Sequence, residues 1–171
     1  REATEGLDVE IFIADPALPD GDPATLPPAP SAEGDPVRWL FYSSGTTAEP
    51  KGAKHSDASL FAADDGMQWS MQCGPEDVSA VVFPITHVGG VVWLVNTLRN
   101  QVCLALVETF NPQTTPHWLG EHGVTCAGAG TVFHMAYLNA QRAQPGVPPM
   151  PKVPMFSGGG APNPPQLHYE L

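Results

Sequence analysis

An α/β fold is what this sequence predicts: repeated βαβ units forming a largely parallel sheet with helices on both faces. Three observations carry that expectation. Short apolar runs such as "VRWLFY", "SAVVFP" and "QVCLALVE" alternate along the chain with stretches whose apolar residues recur at helical spacing. The alternation persists from Val37 to the end without two strands in succession, which is the pattern of crossover connections. The turns that follow the strands are unusually rich in glycine and hydroxyl residues, as expected where backbone approaches a ligand at the carboxyl edge of a parallel sheet.

Taken in order, Val9–Ala14 alternates as a strand, and Asp15–Pro36 follows with seven prolines, which exclude regular structure and predict an exposed linker. The boundary is placed there, with residues 1–36 a strand plus linker and 37–171 the main α/β body. Val37–Tyr42 is the first strand of that body. Ser56 or Asp57 caps a helix whose inward face is Leu60, Ala63, Met67 and Met71, stopped by Gly74-Pro75. Ser79–Pro84 is the second strand, His87–Arg99 an apolar helix and Gln101–Glu108 the third strand. Thr115 caps a short helix with Pro116 at its first position and Gly123 past its end. Val124–Ala129 is the fourth strand, Val132–Gln144 a helix, Lys152–Ser157 the fifth strand, and Asn163-Pro164 open a last helix.

Composition narrows the function. With 171 residues, 42% hydrophobic and 15% charged, the chain is long enough to bury a core. Seven basic residues against eighteen acidic ones give a net charge of −11, and no basic stripe exists, so nucleic acid is not an expected partner. No apolar run approaches a bilayer span. Cys73, Cys103 and Cys126 are odd in number, far apart in sequence and without a CxxC pair, which predicts a reduced, cytoplasmic chain. His117–His122, "HWLGEH", has neither zinc-protease spacing, so no metal ligand is assigned, and the acidic pairs Asp64-Asp65 and Glu76-Asp77 read as solvated.

The chemistry concentrates in "YSSGTTAEPKG", Tyr42–Gly52. Ser43, Ser44, Thr46 and Thr47 offer hydroxyl donors, Gly45 and Gly52 allow close backbone approach, and Lys51 and Lys54 supply positive charge. A polyphosphate needs these groups. The run is not a Walker A loop, because Pro50 and Gly52 stand where that loop needs Gly and Ser or Thr. By itself it also reads as a solvated Ser/Thr turn.

The order of the residues resembles the signature loop of the AMP-forming adenylating enzyme superfamily, the acyl-CoA synthetases and their relatives. Ser43 stands for a frequent Thr and Ala48 for a Gly. "FPITHVGG" and "SGGGAPNPPQLHYEL" resemble two further segments of that family, in the family's order, so the likeness runs from about Val37 to Leu171. It implies that Ser43, Ser44, Gly45, Thr46, Thr47, Lys51 and Gly52 hold the phosphates of ATP. It places His87 at the mouth of the acyl pocket, where the residue also reads as a helix-starting histidine packed on Gly90 and Trp93. Gly159, Gly160, Ala161 and Pro162 would lie against adenine and the activated carboxylate. The reaction implied is that of an acid–thiol ligase: a fatty or aromatic carboxylic acid becomes an acyl-adenylate and passes to coenzyme A, with Mg2+ on the phosphates. A carrier-protein acceptor, or a non-catalytic nucleotide- or acyl-binding module, are the alternatives. The chain is expected to be a central fragment of the large N-terminal domain, silent alone and prone to self-association.

Overall fold

The structure is a computed structural model and describes residues 21–29, 31, 33–43 and 50–171, with the backbone alone for Pro23 and Ser43. The expected strand Val9–Ala14 lies outside the described residues. The chain divides into two compact units, Arg1–Ser31 and Ala32–Leu171. In the first, the 3-10 turn Pro23–Thr25 is held by Asp22, whose carboxylate accepts from the amide of Ala24 at 2.9 Å.

The second unit begins with a hairpin. Strand β1 (Val37–Ser43) pairs antiparallel with β2 (Lys51–Ser56), bringing Tyr42 opposite Gly52 and Ser43 opposite Lys51. This corrects the expectation that β1 belongs to the parallel sheet. β2 escaped notice because it is polar and mostly exposed, and so lacks the apolar alternation that reveals a strand.

Helix α1 (Asp57–Met71) starts directly from β2. Ser56 closes a capping box: its Oγ accepts from the amide of Ser59 at 3.2 Å, and Ser59 Oγ accepts from the amide of Ser56 at 3.1 Å. The helix ends where Gln72 turns left-handed at φ 53°, two residues before the predicted Gly74 stop. Its inward face differs from the expected one. Leu60 is buried, but Ala63 is exposed and Asp64 is buried in its place.

Four parallel strands follow in the order β4-β3-β5-β6: β3 (Val78–Val81), β4 (Cys103–Leu106), β5 (Cys126–Ala129) and β6 (Phe156–Gly158). The connections are α2 (Val88–Asn100), α3 (Thr115–Glu121) and α4 (Thr131–Ala143), and α5 (Leu167–Glu170) closes the chain. The predicted alternation of strand and helix is therefore present. Several boundaries move. Thr114 rather than Thr115 precedes α3, and Thr115 Oγ1 instead accepts from the amide of Asn111 at 2.9 Å. β6 begins only at Phe156, because Pro151 and Pro154 have no amide for a ladder. The last helix begins at Leu167, not at Asn163-Pro164.

Alternate residues of the strands feed two cores, as a sheet covered on both faces requires. Val81, Cys126 and partly buried Leu104 face α1 and α2, packing with Met67, Met71, Cys73, Trp93 and Val102. Ala80, Val82, Ala105, Ala127 and Ala129 face α3 and α4, packing with Leu119, Val124 and Tyr137. Full burial of a Leu or Val side chain such as Leu60, Leu119 or Val81 stabilises the fold by about 1.5–3 kcal/mol each.

Candidate functional site

The strand order sets the site. From β3 the chain crosses through α2 to β4 on one side, and from β5 it crosses through α4 to β6 on the other. The carboxyl ends of β3 and β5 are neighbours from which the connections diverge to opposite faces. Such a switch point opens a crevice between the two loops that leave it, the usual ligand position in an open parallel sheet.

The first wall is Pro84–Gly90. His87 is exposed and caps α2: its Nδ1 accepts from the amide of Gly89 at 3.1 Å. With Nδ1 accepting, the assigned ring tautomer places its N–H at Nε2. As the helix-starting reading expected, His87 is the N-cap of α2, and its ring makes an edge contact with Phe83, with ring centroids 6.1 Å apart. Gly90 is required by the turn, since a Cβ there would lie 2.5 Å from Ile85 Cα.

The second wall is Gly128–Gly130 with Ser157–Asn163. A Cβ on Gly128 would occupy the place of Ser157 Oγ. A Cβ on Gly158 would lie 2.9 Å from the His134 ring. Gly160 has φ +79°, a conformation that favours glycine. Gly159, Gly160, Ala161 and Pro162 are all exposed.

A part-buried network holds this wall to α4. His134 Nε2 donates to the carbonyl of Ser157 at 3.0 Å, Asn163 Nδ2 lies 3.4 Å from His134 Nδ1, and Thr131 Oγ1 donates to Asn163 Oδ1 at 2.8 Å. One assignment satisfies all three contacts, with the proton on Nε2 and Asn163 donating to Nδ1. Sequence reasoning passed over His134 and Thr131 and gave Asn163 a different task. The available signal was Thr131 and His134 three apart on one helical face. Phe83 links the two walls, touching both His87 and Phe133 of α4, the latter at 6.4 Å.

Of the phosphate-loop residues, Ser44, Gly45, Thr46 and Thr47 lie outside the described residues. Ser43 and Lys51 form the last pair of the hairpin ladder, where β1 ends and β2 begins, and Lys51 and Gly52 are exposed. Gly52 leaves room for the ring of Tyr42, which a Cβ would approach to 3.1 Å. The structure thus gathers His87, Gly128–Gly130 and Gly159–Pro162 along one sheet edge. It puts the hairpin in a separate two-stranded sheet, tied to α1 by Trp39 Nε1 donating to Asp57 at 2.8 Å and by an Arg38–Asp57 ion pair at 2.9 Å.

The AMP-binding enzyme family matches residues 3–171. The chain belongs to this family. Among the relatives of this chain is the acyl-CoA synthetase ALT10 of Alternaria alternata, 25% identical over 97% of this chain and 30% of its own length. The long-chain-fatty-acid–CoA ligase FadD13 of Mycobacterium tuberculosis is 28% identical over 82% of this chain and 27% of its own. The fold matches that of the O-succinylbenzoate coenzyme A synthetase of Bacillus subtilis in complex with ATP and magnesium ion. That match has a TM-score of 0.69 at 22% identity and covers 80% of this chain and 28% of that one. The chain therefore spans about a third or less of the length of these proteins.

One member of each acidic pair departs from the solvated reading, while Asp65 and Glu76 remain exposed. Asp64 is buried and accepts from Asn96 Nδ2 at 2.8 Å and from Arg99 Nη1 at 2.7 Å. Asp77 is half-buried and accepts from the amide of Gly74 at 2.8 Å and the hydroxyl of Thr125 at 2.7 Å. Both are structural and lie away from the crevice. Among the described residues no helix is long and apolar enough to cross a membrane.

Proposed function

We propose that residues 37–171 supply the ATP- and acid-binding walls of an adenylate-forming acid–thiol ligase. The observation that carries this reading is the switch-point crevice, where the His87 turn and the glycine turns after β5 and β6 leave neighbouring strand ends. A flat base and a planar carboxylate fit turns that lack side chains. In this reading Ser43, Ser44, Gly45, Thr46, Thr47, Lys51 and Gly52 hold the β- and γ-phosphates, with Lys51 the fixed charge. Gly159, Gly160, Ala161 and Pro162 lie along the base and the reacting carboxylate. His87, with Nε2–H as its donor, stands at the entrance of the acid pocket.

The acid's oxygen attacks the α-phosphorus of ATP, and the bond to pyrophosphate breaks. A thiol, coenzyme A in our reading, then attacks the acyl carbon and AMP leaves. The residues above orient the carboxylate in line with the leaving pyrophosphate and screen its charge. Mg2+ bound to the phosphates supplies further charge neutralisation. Names among the relatives support fatty acids as one substrate class, and aromatic acids are the other that we would test. Three free thiols suit a cytoplasmic setting. Exposed Trp69, Leu98 and Val132 give self-association a surface, and a single monomeric species by light scattering would count against it.

The test is carboxylate-dependent ATP–pyrophosphate exchange by the protein carrying this chain, over a panel of fatty and aromatic acids. Exchange with at least one acid is expected. Lys51→Ala should lower it roughly 10–100-fold, as loss of one charged hydrogen bond predicts. Ala48, where the family signature has Gly, favours the non-catalytic module. ATP binding without exchange for any acid would establish that alternative.

A further inference from the structure

A second cluster of chemically competent side chains sits at the opposite, amino edge of the sheet. Cys73 follows the left-handed end of α1, and Cys126 begins β5. Both are buried, and their Sγ atoms are 2.7 Å apart, although 53 residues separate them in sequence. Asp77 lies beside them, the three ligand atoms all falling within 4.8 Å of one another. Its two oxygens are engaged by the Gly74 amide and the Thr125 hydroxyl, so the two sulfurs face each other as a pair.

We propose that Cys73 and Cys126 are a redox pair that closes to a disulfide, tying the end of α1 to the start of β5. The backbone on each side is already fixed: Cys126 lies in the ladder of β3 and β5, and the Cys73 carbonyl accepts from Gln68 Nε2 at 2.6 Å. An S–S bond is about 2.05 Å long, so closure needs little movement. The oxidant is a small disulfide such as oxidised glutathione. One cysteine sulfur displaces a glutathione thiol and forms a mixed disulfide; the other attacks that sulfur and releases the second glutathione. The protein loses two hydrogens, and both end on glutathione thiols.

Burial, with Cys126 and Asp77 close by, pushes the Cys73 thiol up to about 12. It therefore keeps its proton while the site is closed. Oxidation waits on local opening of the α1–β3 connection, and the bond once formed is shielded from reductant. A cross-link of this kind in a reducing compartment responds to oxidative conditions rather than being permanent.

The experiment equilibrates the protein in glutathione buffers of graded ratio, alkylates remaining thiols, and maps the cysteines by peptide mass after unfolding. A peptide pair joining Cys73 to Cys126, with exposed Cys103 alkylated, is the expected result. The unfolding midpoint should rise on oxidation and fall again with dithiothreitol. Cys103→Ser should behave as the parent, whereas Cys73→Ser and Cys126→Ser should lose both signals. Full alkylation of Cys73 and Cys126 at every ratio would overturn the proposal. So would stable glutathionylation of either one without the cross-link. Zinc added alone that binds one per chain and protects both thiols would overturn it too, showing that the cluster is a metal site.

Discussion

The two faces of the parallel sheet are closed by different physics. The layer of α1 and α2 is polar at its heart. Asp64 is 1% exposed and is held by Asn96 and by Arg99, whose guanidinium also stacks over the Phe61 ring at 5.1 Å. The thiols of Cys73 and Cys126 share that side. The layer of α3 and α4 is aromatic. Phe133 meets Phe110 at 4.9 Å, Phe110 meets Tyr137 at 6.1 Å, and Tyr137 meets Phe156 at 5.7 Å. Directional bonds fix α1 against α2, whereas shape fixes α3 and α4 against the sheet. The aromatic side also carries the His134–Asn163 network to the crevice, so the glycine wall rests on the aromatic layer.

The largest effect should come from the aromatic layer. Leu119 is fully buried between α3 and the sheet. Leu119→Ala should cost about 3–4 kcal/mol, combining lost transfer energy with an unfilled cavity. Urea denaturation should show the loss with an unchanged slope. A cost under about 1 kcal/mol would mean that this layer collapses around the gap and is not held by shape.

The polar layer should respond less, and in a different manner. Asn96→Ala removes a hydrogen bond to a buried carboxylate and should cost about 2 kcal/mol by the same measurement. Replacing Asp64 and Asn96 together by Leu should recover part of that loss, because a buried polar group is costly chiefly when a partner is missing. If the double replacement costs more than Asn96→Ala alone, Arg99 depends on Asp64 more than this comparison allows.

A third measurement separates the faces by pH. Folding raises the Cys73 thiol from 9.0 to about 12. Its contribution is therefore fully present below about pH 9. It falls as pH rises toward 12, where the unfolded chain has released a proton that the native one keeps. The reduced protein should lose stability along that alkaline limb, and Cys73→Ser should remove the part that begins near pH 9, leaving the later part that the raised Tyr137 phenol contributes. An identical limb in the variant would place the titration elsewhere.

What the sequence revealed follows from which forces leave a pattern. The βαβ alternation was legible because buried strands and amphipathic helices repeat with fixed periods, and the glycine turns after β3, β5 and β6 were legible as loops with too few side chains. β2 was not, because an exposed hairpin strand such as Lys51–Ser56 is held by backbone pairing, which leaves no apolar signature. Asp64 was misread because an acidic pair looks solvated until Asn96 and Arg99 are brought over it from another helix. The His134–Asn163 contact and the Cys73–Cys126 pair join residues 29 and 53 apart, and no local spacing encodes either.

The smallest expected effect is also the sharpest probe of the aromatic layer. The Tyr137 hydroxyl is buried and has no hydrogen-bond partner among the described residues, and burial pushes its pKa above the usual phenol range. Tyr137 lies beside Met150 and Phe156 on a cavity of about 230 Å³. If shape alone holds this face, Tyr137→Phe gives up no bond, keeps the ring contacts and removes a desolvated hydroxyl. A gain of up to about 1 kcal/mol in urea denaturation follows. A loss of that size would mean that the hydroxyl is bonded through water within the cavity. The aromatic layer would then contain a polar contact of its own, and the contrast between the two faces would narrow to the ion pair and the thiols.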